Sequence, residues 1–406
     1  MDVLYPRCAG LDVHKRTVVA CALWSGPGRL TEKVIVTFGT DTFELQRLAD
    51  WLLELDCREV AMEATGVYWK PVFNILEEYP ALSPRVLNAE HIKNVPGKKT
   101  DVNDAEWIAT LLRYGLARAS FIPHREQRDT RELTRFRTAL VHEKTAGINR
   151  LQKTLEAANI KLASVLTDIR GVSGQRILAA IADGEEDPVV LAALADFRVK
   201  ATPESIERSL TGRITSTLRF VVRQHLQHLA DLDSAIARCD QEIARLMLPF
   251  AAEVQRLDPV PGINEIAAYN LLAETGVDLS RFASHLQFTA WAGVAPGNKR
   301  SGGKRRRAPT RKGNPWLKTA AVEIAASAIR KKDSFLSIKY HRIAARRGHR
   351  RALVAIAHQI LVIVYHLWST RPTTRTSARP ISTSATTTPS VRTPSDASNV
   401  SATAST

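Results

Sequence analysis

Over residues 7–39 the apolar positions come in short runs separated by turn residues, and Cys8–Val13, Thr17–Trp24 and Lys33–Phe38 read as three strands. The period then changes. Phe43, Leu45, Leu48, Trp51, Leu52 and Leu55 fall at helical spacing, Glu59–Met62 is again strand-like, Trp69–Tyr79 is helical, Arg85–Asn88 is a strand and Asp101–Tyr114 a helix. Three strands followed by alternating helices and strands predict a mixed α/β sheet for residues 1–124.

Residues 125–250 carry a different pattern. Arg125–Ile160 reads as one long helix, with Leu133, Phe136, Leu140, Ile148, Leu151 and Leu155 on its apolar side. After less regular helical sequence broken at Gly171, Gly184–Pro188 and Pro203, a heptad seam runs from Leu218 through Val222, His225, Leu229, Leu232, Ile236, Cys239 and Ile243 to Leu246. Pro249 ends it. The seam suits a coiled coil between two protomers and equally suits packing on the Arg125–Ile160 helix of the same chain. Residues 251–368 form a mainly helical unit, with the turn Pro261-Gly262-Ile263-Asn264, a Gly/Lys/Arg-rich stretch over Gly297–Gly313, and two closing amphipathic helices at Pro315–Arg330 and Arg350–Trp368. Trp107, Trp291 and Trp316 read as core. Residues 369–406, almost all Ser, Thr, Ala, Pro and Arg, lack the apolar content to fold and read as a disordered tail.

Charge narrows the partner. Lys and Arg number 57 against 41 Asp and Glu, a net charge of +16 that favours a polyanion. Cys8, Cys21, Cys57 and Cys239 are too scattered for a disulfide framework or a zinc knuckle, so a reducing cytoplasm is expected. The N-terminal sequence has no apolar signal core. Leu353–Trp368, interrupted by His358, Gln359 and His366, reads as a buried helix, so no membrane partner is expected.

Two constellations carry candidate chemistry. Asp12 and Glu63 each end a strand, and Asp101 and Asp104 stand at the start of a helix, three residues apart and so on one face. Carboxylates converging at the end of such a sheet bind Mg²⁺ or Mn²⁺, which can act on the oxygens of a phosphodiester. Singly, each also fits a turn, and Asp101 fits a helix N-cap. The second constellation is Ser301, flanked by Lys299, Arg300, Gly302, Gly303, Lys304, Arg305, Arg306 and Arg307. There a serine can attack phosphorus while the cations hold the phosphate; equally, the stretch fits a basic loop that only grips phosphates. The Gly262 turn resembles a helix-hairpin-helix, offering backbone N–H groups to phosphate, with Asn264 in the left-handed position usually filled by glycine. Lys98 and Lys99 lie in a basic loop, GKKT.

The order GLDVHK, EATGVYW and N-x-x-x-x-K-x-x-P-G-K-K-T-D-V-N-D-A resembles the front domain of the insertion-sequence 110 family of transposases, and PGINEIAAYNLLAETG, FTAWAGVAP and SGGK resemble its rear domain. The resemblance implies a RuvC/RNase H-like domain with an Asp-Glu-Asp-Asp tetrad on Asp12, Glu63, Asp101 and Asp104. It also implies a nucleophilic serine at Ser301, the only serine between Ser284 and Ser327. It further implies excision and insertion of a mobile element through a phosphoserine link, a non-coding guide RNA that binds the basic loops, and a homo-oligomer, dimer or tetramer, with a composite site. Two readings compete: a metal-dependent, junction-resolvase-like endonuclease without a covalent intermediate, and a non-catalytic nucleic-acid scaffold.

Overall fold

A computed structural model of the chain describes residues 2–26, 31–64, 66–88, 92, 103–116, 118–297, 299–301, 304–306, 310 and 312–369. The first unit is a five-stranded mixed sheet built from β1 (Arg7–Val13), β2 (Thr17–Ser25), β3 (Thr31–Gly39), β4 (Glu59–Glu63) and β5 (Ser83–Leu87), with α1 (Thr42–Glu54), α2 (Trp69–Leu76) and α3 (Asp104–Arg113) packed on it. The strand order is β3-β2-β1-β4-β5, antiparallel across β1, β2 and β3 and parallel across β1, β4 and β5. This arrangement is consistent with a RuvC-like α/β unit.

Alternation along the central strands sorts the two faces. Ala9, Leu11, Val13, Val60 and Met62 pack with α1 and α2, whereas Cys8, Cys21, Ala61 and Leu87 pack with α3.

The long helix α4 (Arg125–Ala157) leaves this unit, followed by α5 (Leu162–Val165), α6 (Val172–Asp183), α7 (Pro188–Ala193), α8 (Pro203–Leu210) and the second long helix, α9 (Ser216–Met247). α9 lies antiparallel on α4 of the same chain. Arg137 pairs with Asp240, Lys144 with Asp233, and Gly147 meets Leu229, the partner number falling as the α4 number rises. The intrachain arrangement is therefore the one seen. The expected seam slips at its end: Val222, Leu229, Leu232, Cys239 and Ile243 are buried, but the last buried position is Met247, not Leu246. A straight helix drifts about 20° per heptad from a 3.5-residue repeat, and about four heptads accumulate nearly one residue of rotation.

The rear unit holds α10 (Ala251–Gln255), α11 (Glu265–Thr275), α12 (His285–Trp291), strands β6 (Lys299–Ser301) and β7 (Lys304–Arg306), and helices α13 (Pro315–Ala328), α14 (Phe335–Arg347) and α15 (His349–Ser369). Three helices close the unit rather than two. The unexpected one, α14, buries only Leu336 and Ser337 and so has no apolar stripe for periodicity to detect. The core joins α11, α13 and α15 to Leu140 of α4 and Met247 of α9. By length and composition α15 could cross a membrane, with a mean hydropathy of 1.7. Its Ala352, Ile356, Ala357, Ile360, Leu361 and Val364 are nevertheless fully buried in this core. The tail expected over residues 369–406 lies, beyond Ser369, outside the described residues.

Candidate active site

The sheet register sets the acidic end. β1 and β4 run parallel with Leu11 beside Met62, and the next residues in each strand are Asp12 and Glu63. Because Leu11 and Met62 face α1 and α2, alternation turns Asp12 and Glu63 to the α3 face. α3 comes unusually close there. A Cβ on Gly10 would lie 2.2 Å from the Ala105 carbonyl oxygen and 2.3 Å from the Ala109 nitrogen, so only glycine admits this helix. The Cys8 thiol donates to the Ala109 carbonyl at 3.5 Å. With Ala109 over Cys8 and Ala105 over Gly10, α3 runs opposite to β1 and directs its N-terminus, with Asp104, toward the Asp12 end of the strand. Lys33 of β3 holds Glu106 at 2.7 Å and fixes the helix from the side.

α3 begins at Asp104, and its N-cap is Asn103, whose side chain accepts from the Ala105 N–H at 3.0 Å. Asp101 and the loop lysines Lys98 and Lys99 lie outside the described residues. The Asp12 carboxylate is 18% exposed and meets His14 Nε2 at 3.1 Å. All three described carboxylates are hard oxygen donors, the right kind for a divalent cation. Among the described residues, however, no group of three His, Cys, Asp or Glu side chains is close enough to hold a metal ion. The thiols behind them offer no softer alternative. Burial pushes Cys8 and Cys21 up to about 12 and Cys57 to about 11, so all three stay protonated at neutral pH.

Ser301 does not sit in an irregular loop. It ends β6, opposite Lys304 of β7, with Arg300 opposite Arg305 and Lys299 opposite Arg306. Gly302, Gly303 and Arg307 fall outside the described residues. The sequence cue for this hairpin was the Gly-Gly pair between two short runs, a common hairpin-turn composition.

The base of the hairpin is held on several sides. Pro296 bridges to Thr310, Lys318 Nζ donates to Thr310 Oγ1 at 2.9 Å, and the Asn314 N–H donates to the Trp291 carbonyl at 3.2 Å. Asn314 also caps α13, accepting from the Trp316 and Leu317 N–H groups. Its amide nitrogen donates to Glu274 Oε2 at 2.6 Å.

Glu274 is the residue that sequence reasoning missed. It is 3% exposed, after the apolar run Leu271–Ala273 near the end of α11. Its carboxylate accepts from Arg135 Nε at 2.7 Å and Nη2 at 2.9 Å, a two-pronged bond, and Arg131 Nε lies 3.7 Å away. Arg131 donates as well to the Ala273 and Glu274 carbonyls that end α11. Burial, only partly offset by Glu274, holds Arg131 below the usual arginine range. One turn away on α4, Arg128 bonds Asn74 of α2 and Glu77 just past its end, and Glu132 bonds Lys70 of α2. The start of α4 is thus fastened to the acidic unit on one side and to the hairpin base on the other. Trp316, expected in the core, is 37% exposed, with the Arg135 guanidinium over its ring at 5.3 Å.

The Pro261–Asn264 turn differs from expectation in detail. The left-handed residue is Gly262, with φ +87°; a Cβ there would lie 2.5 Å from the Ile324 carbonyl oxygen of α13. Asn264 has φ −105° and is the N-cap of α11, accepting from the Ala267 N–H at 2.9 Å. The turn lines an open groove of about 690 Å³ with Arg137 and His142 of α4 and Ser327 of α13.

Comparison with known proteins adds to this geometry. A family model described as "Transposase", of the DEDD IS110 type, matches residues 9–160, and the model "Transposase IS116/IS110/IS902 family" matches residues 254–341; together they cover more than half of the chain. The "Transposase for insertion sequence element IS1111A" of Coxiella burnetii is 27% identical over 80% of this chain and 81% of its own length. The "Probable family 20 transposase" of Pseudomonas aeruginosa is 25% identical over 84% of this chain and 95% of its own.

Proposed function

The chain belongs to the IS110 family of transposases and cuts and rejoins DNA in transposition, and from that premise we propose that Ser301 attacks the scissile phosphodiester while Asp12, Glu63, Asp101 and Asp104 hold the divalent metal on which the family's acidic domain depends. The observation that carries this reading is the coincidence of each constellation with its own matched segment. The four carboxylates fall within residues 9–160 and Ser301 within 254–341. Mg²⁺ suits the all-oxygen donor set, as does Mn²⁺. When bound, the metal supplies positive charge beside the reacting phosphate oxygens.

In the proposed reaction the Ser301 Oγ–phosphorus bond forms as the phosphorus–sugar oxygen bond breaks, and the leaving sugar oxygen takes up a proton. A sugar hydroxyl of the partner strand then attacks the phosphoserine, forming the new phosphodiester and restoring the Ser301 hydroxyl. One phosphoester bond replaces another at each step, so rejoining needs no external energy. Lys299, Arg300, Lys304, Arg305, Arg306 and Arg307 hold the phosphate and neutralise its oxygens, with Gly302 and Gly303 allowing close backbone approach. Lys98, Lys99 and the Gly262 turn grip flanking phosphates. A non-coding RNA selects the DNA by base pairing, and two or more protomers assemble the composite site.

Covalent trapping tests the mechanism. The protein is incubated with element-end DNA, the adjacent non-coding RNA and Mg²⁺, and a denaturation-resistant protein–DNA adduct is sought. The adduct is expected with the native chain and absent from Ser301→Ala and Asp12→Ala. Cutting that persists in Ser301→Ala without an adduct would overturn the serine step and leave a metal-dependent endonuclease.

A further inference from the structure

Residues 330–351 contain nine Lys or Arg and a single acid, Asp333, so this short segment supplies about half of the net +16 of the chain. Nothing in the serine or carboxylate chemistry uses it. It forms the corner where α14 turns into α15. The turn is made at Gly348, φ +81°, where a Cβ would meet nothing within 4 Å, so the corner is open to solvent. Arg342, Arg346, Arg347, Arg350 and Arg351 around it are exposed. Among the described residues, none of the nine cations forms an ion pair, whereas arginines elsewhere in the chain pair repeatedly with acids, as Arg128, Arg135, Arg137 and Arg170 do. The Tyr340 hydroxyl lies 2.6 Å from His349 Nδ1, and Lys339 donates to Gln359 at 2.5 Å, so the two helices are fastened to each other and present the arginines on a fixed frame.

We propose that the α14–α15 corner is a second docking surface for duplex DNA, gripping the phosphate backbone that flanks the cut. Uncompensated like charge on a rigid frame costs folding energy through self-repulsion, which an opposing polyanion removes. The size suits a duplex. α14 is 13 residues long, about 20 Å, and duplex DNA presents about a dozen phosphates over that length. The surface is also separate from the hairpin. Asn314 at the hairpin base bonds Trp291, which stacks on Phe288 against Tyr365 near the C-terminal end of α15, whereas the corner stands at the N-terminal end of that helix, about 24 Å away and too far to share one phosphate. Both ends of α13 rest on one core, because Leu317, Ala321, Ile324 and Ala328 pack with Ile356, Ile360 and Val364 of α15. DNA held at the corner is therefore registered against the hairpin.

An anionic membrane would also be drawn to cations beside an apolar helix, and Phe335 and Ile338 are exposed on α14. The burial of the apolar side of α15 and the DNA chemistry of the family favour the duplex. Docking at the corner does not depend on which group attacks the phosphodiester.

The test is a titration of a labelled duplex of about 30 base pairs with the full-length chain, at several salt concentrations between about 50 and 200 mM. Arg342, Arg346, Arg347 and Arg350 are changed together to Gln. A matched variant removes the same charge elsewhere, with Gln at Arg176, Arg208, Arg213 and Arg238, all exposed. The corner variant is expected to bind at least roughly tenfold more weakly, and its log–log salt slope to fall by about 0.9 for each phosphate that is no longer neutralised. The matched variant should retain most of both. Equal losses in the two variants would reduce the effect to net charge and overturn the proposal. So would unchanged duplex binding by the corner variant combined with lost binding to phosphatidylserine vesicles or to single-stranded RNA. Circular dichroism of both variants checks folding, and the covalent adduct assayed at saturating DNA reports the serine step separately.

Discussion

The acidic end of the sheet and the base of the serine hairpin are held in place by opposite means. At the sheet, position comes from backbone. Parallel register sets Leu11 beside Met62, with Asp12 and Glu63 the next residue of each strand, and the missing side chain of Gly10 lets α3 settle against β1. At the hairpin, position comes from buried charge. Glu274 gathers Arg135, Arg131 and Asn314, and no backbone ladder among the described residues joins these elements. A site fixed by backbone is lost when atoms are added. A site fixed by buried charge is lost when one partner is removed, because the remaining charges stay buried without compensation. The two regions should therefore fail under different substitutions, and α4, fastened to both, should transmit little of either failure.

The largest effect is expected from Glu274→Ala. Arg131 would stay largely buried and Arg135 partly so, both without their carboxylate, a change worth at most about 3–5 kcal/mol. Glu274→Gln keeps an acceptor for Asn314 or Arg135 and should cost about half of that. Trp316 lies under Arg135, so the difference in fluorescence between the chain and its Trp316→Phe variant is a local probe of urea unfolding. Adduct formation should fall in Glu274→Ala even at temperatures where the variant remains folded. A loss no larger than that of an exposed-site substitution would mean that hydrophobic packing alone holds the hairpin base.

Gly10→Ala should come next, at about 1–3 kcal/mol, since the added methyl meets the main chain of Ala105 and Ala109 rather than a side chain that can swing away. The displaced helix carries Asp104, so metal-dependent cutting should fall well beyond the loss of stability, while duplex binding at the α14–α15 corner stays intact. Cutting that declined only in step with the folded fraction would show that the position of α3 is not set at Gly10.

This contrast also explains what the sequence made legible. Strands β1, β2 and β4 show as short apolar runs because both of their faces are covered, the flanking helices show by their spacing, and Asp12 and Glu63 stand out as acids at the ends of otherwise apolar runs. The role of Gly10 does not show, since a close approach depends on a helix about a hundred residues away. Glu274 looks like a stray acid in LLAETG, because its three partners come from α4 and from Asn314. The β6–β7 hairpin hides for another reason: a strand pair made only of Lys, Arg and Ser has no apolar alternation. At the Pro261–Asn264 turn, composition identified the turn but not which residue would be left-handed. Packing against α13 assigns that place to Gly262 and frees Asn264 to cap α11.

At neutral pH the smallest effect is that of the buried thiols, which emerges only as pH rises past 9 and separates the two regions without any substitution. Cys8, Cys21 and Cys57 all belong to the sheet unit, and burial raises them from 9.0 to about 12, 12 and 11. Below pH 9 the thiols are protonated whether the chain is folded or not, and they give stability no slope. As pH rises past 9 the unfolded chain releases these protons and the folded chain does not, so stability falls with pH until the buried thiols also ionise near 11 to 12. The thiols should change nothing near neutrality. Above pH 9 the sheet unit should weaken first, followed as unfolding of β-structure by circular dichroism, while the fluorescence difference that isolates Trp316 stays native. Replacing the three cysteines by Ala should flatten the alkaline slope. In the native chain at about pH 8 Cys8 and Cys21 should react with a disulfide reagent far more slowly than in urea; equal rates would mean that the sheet face under α3 opens readily, and that register and Gly10 do not hold Asp12 and Asp104 on a rigid frame.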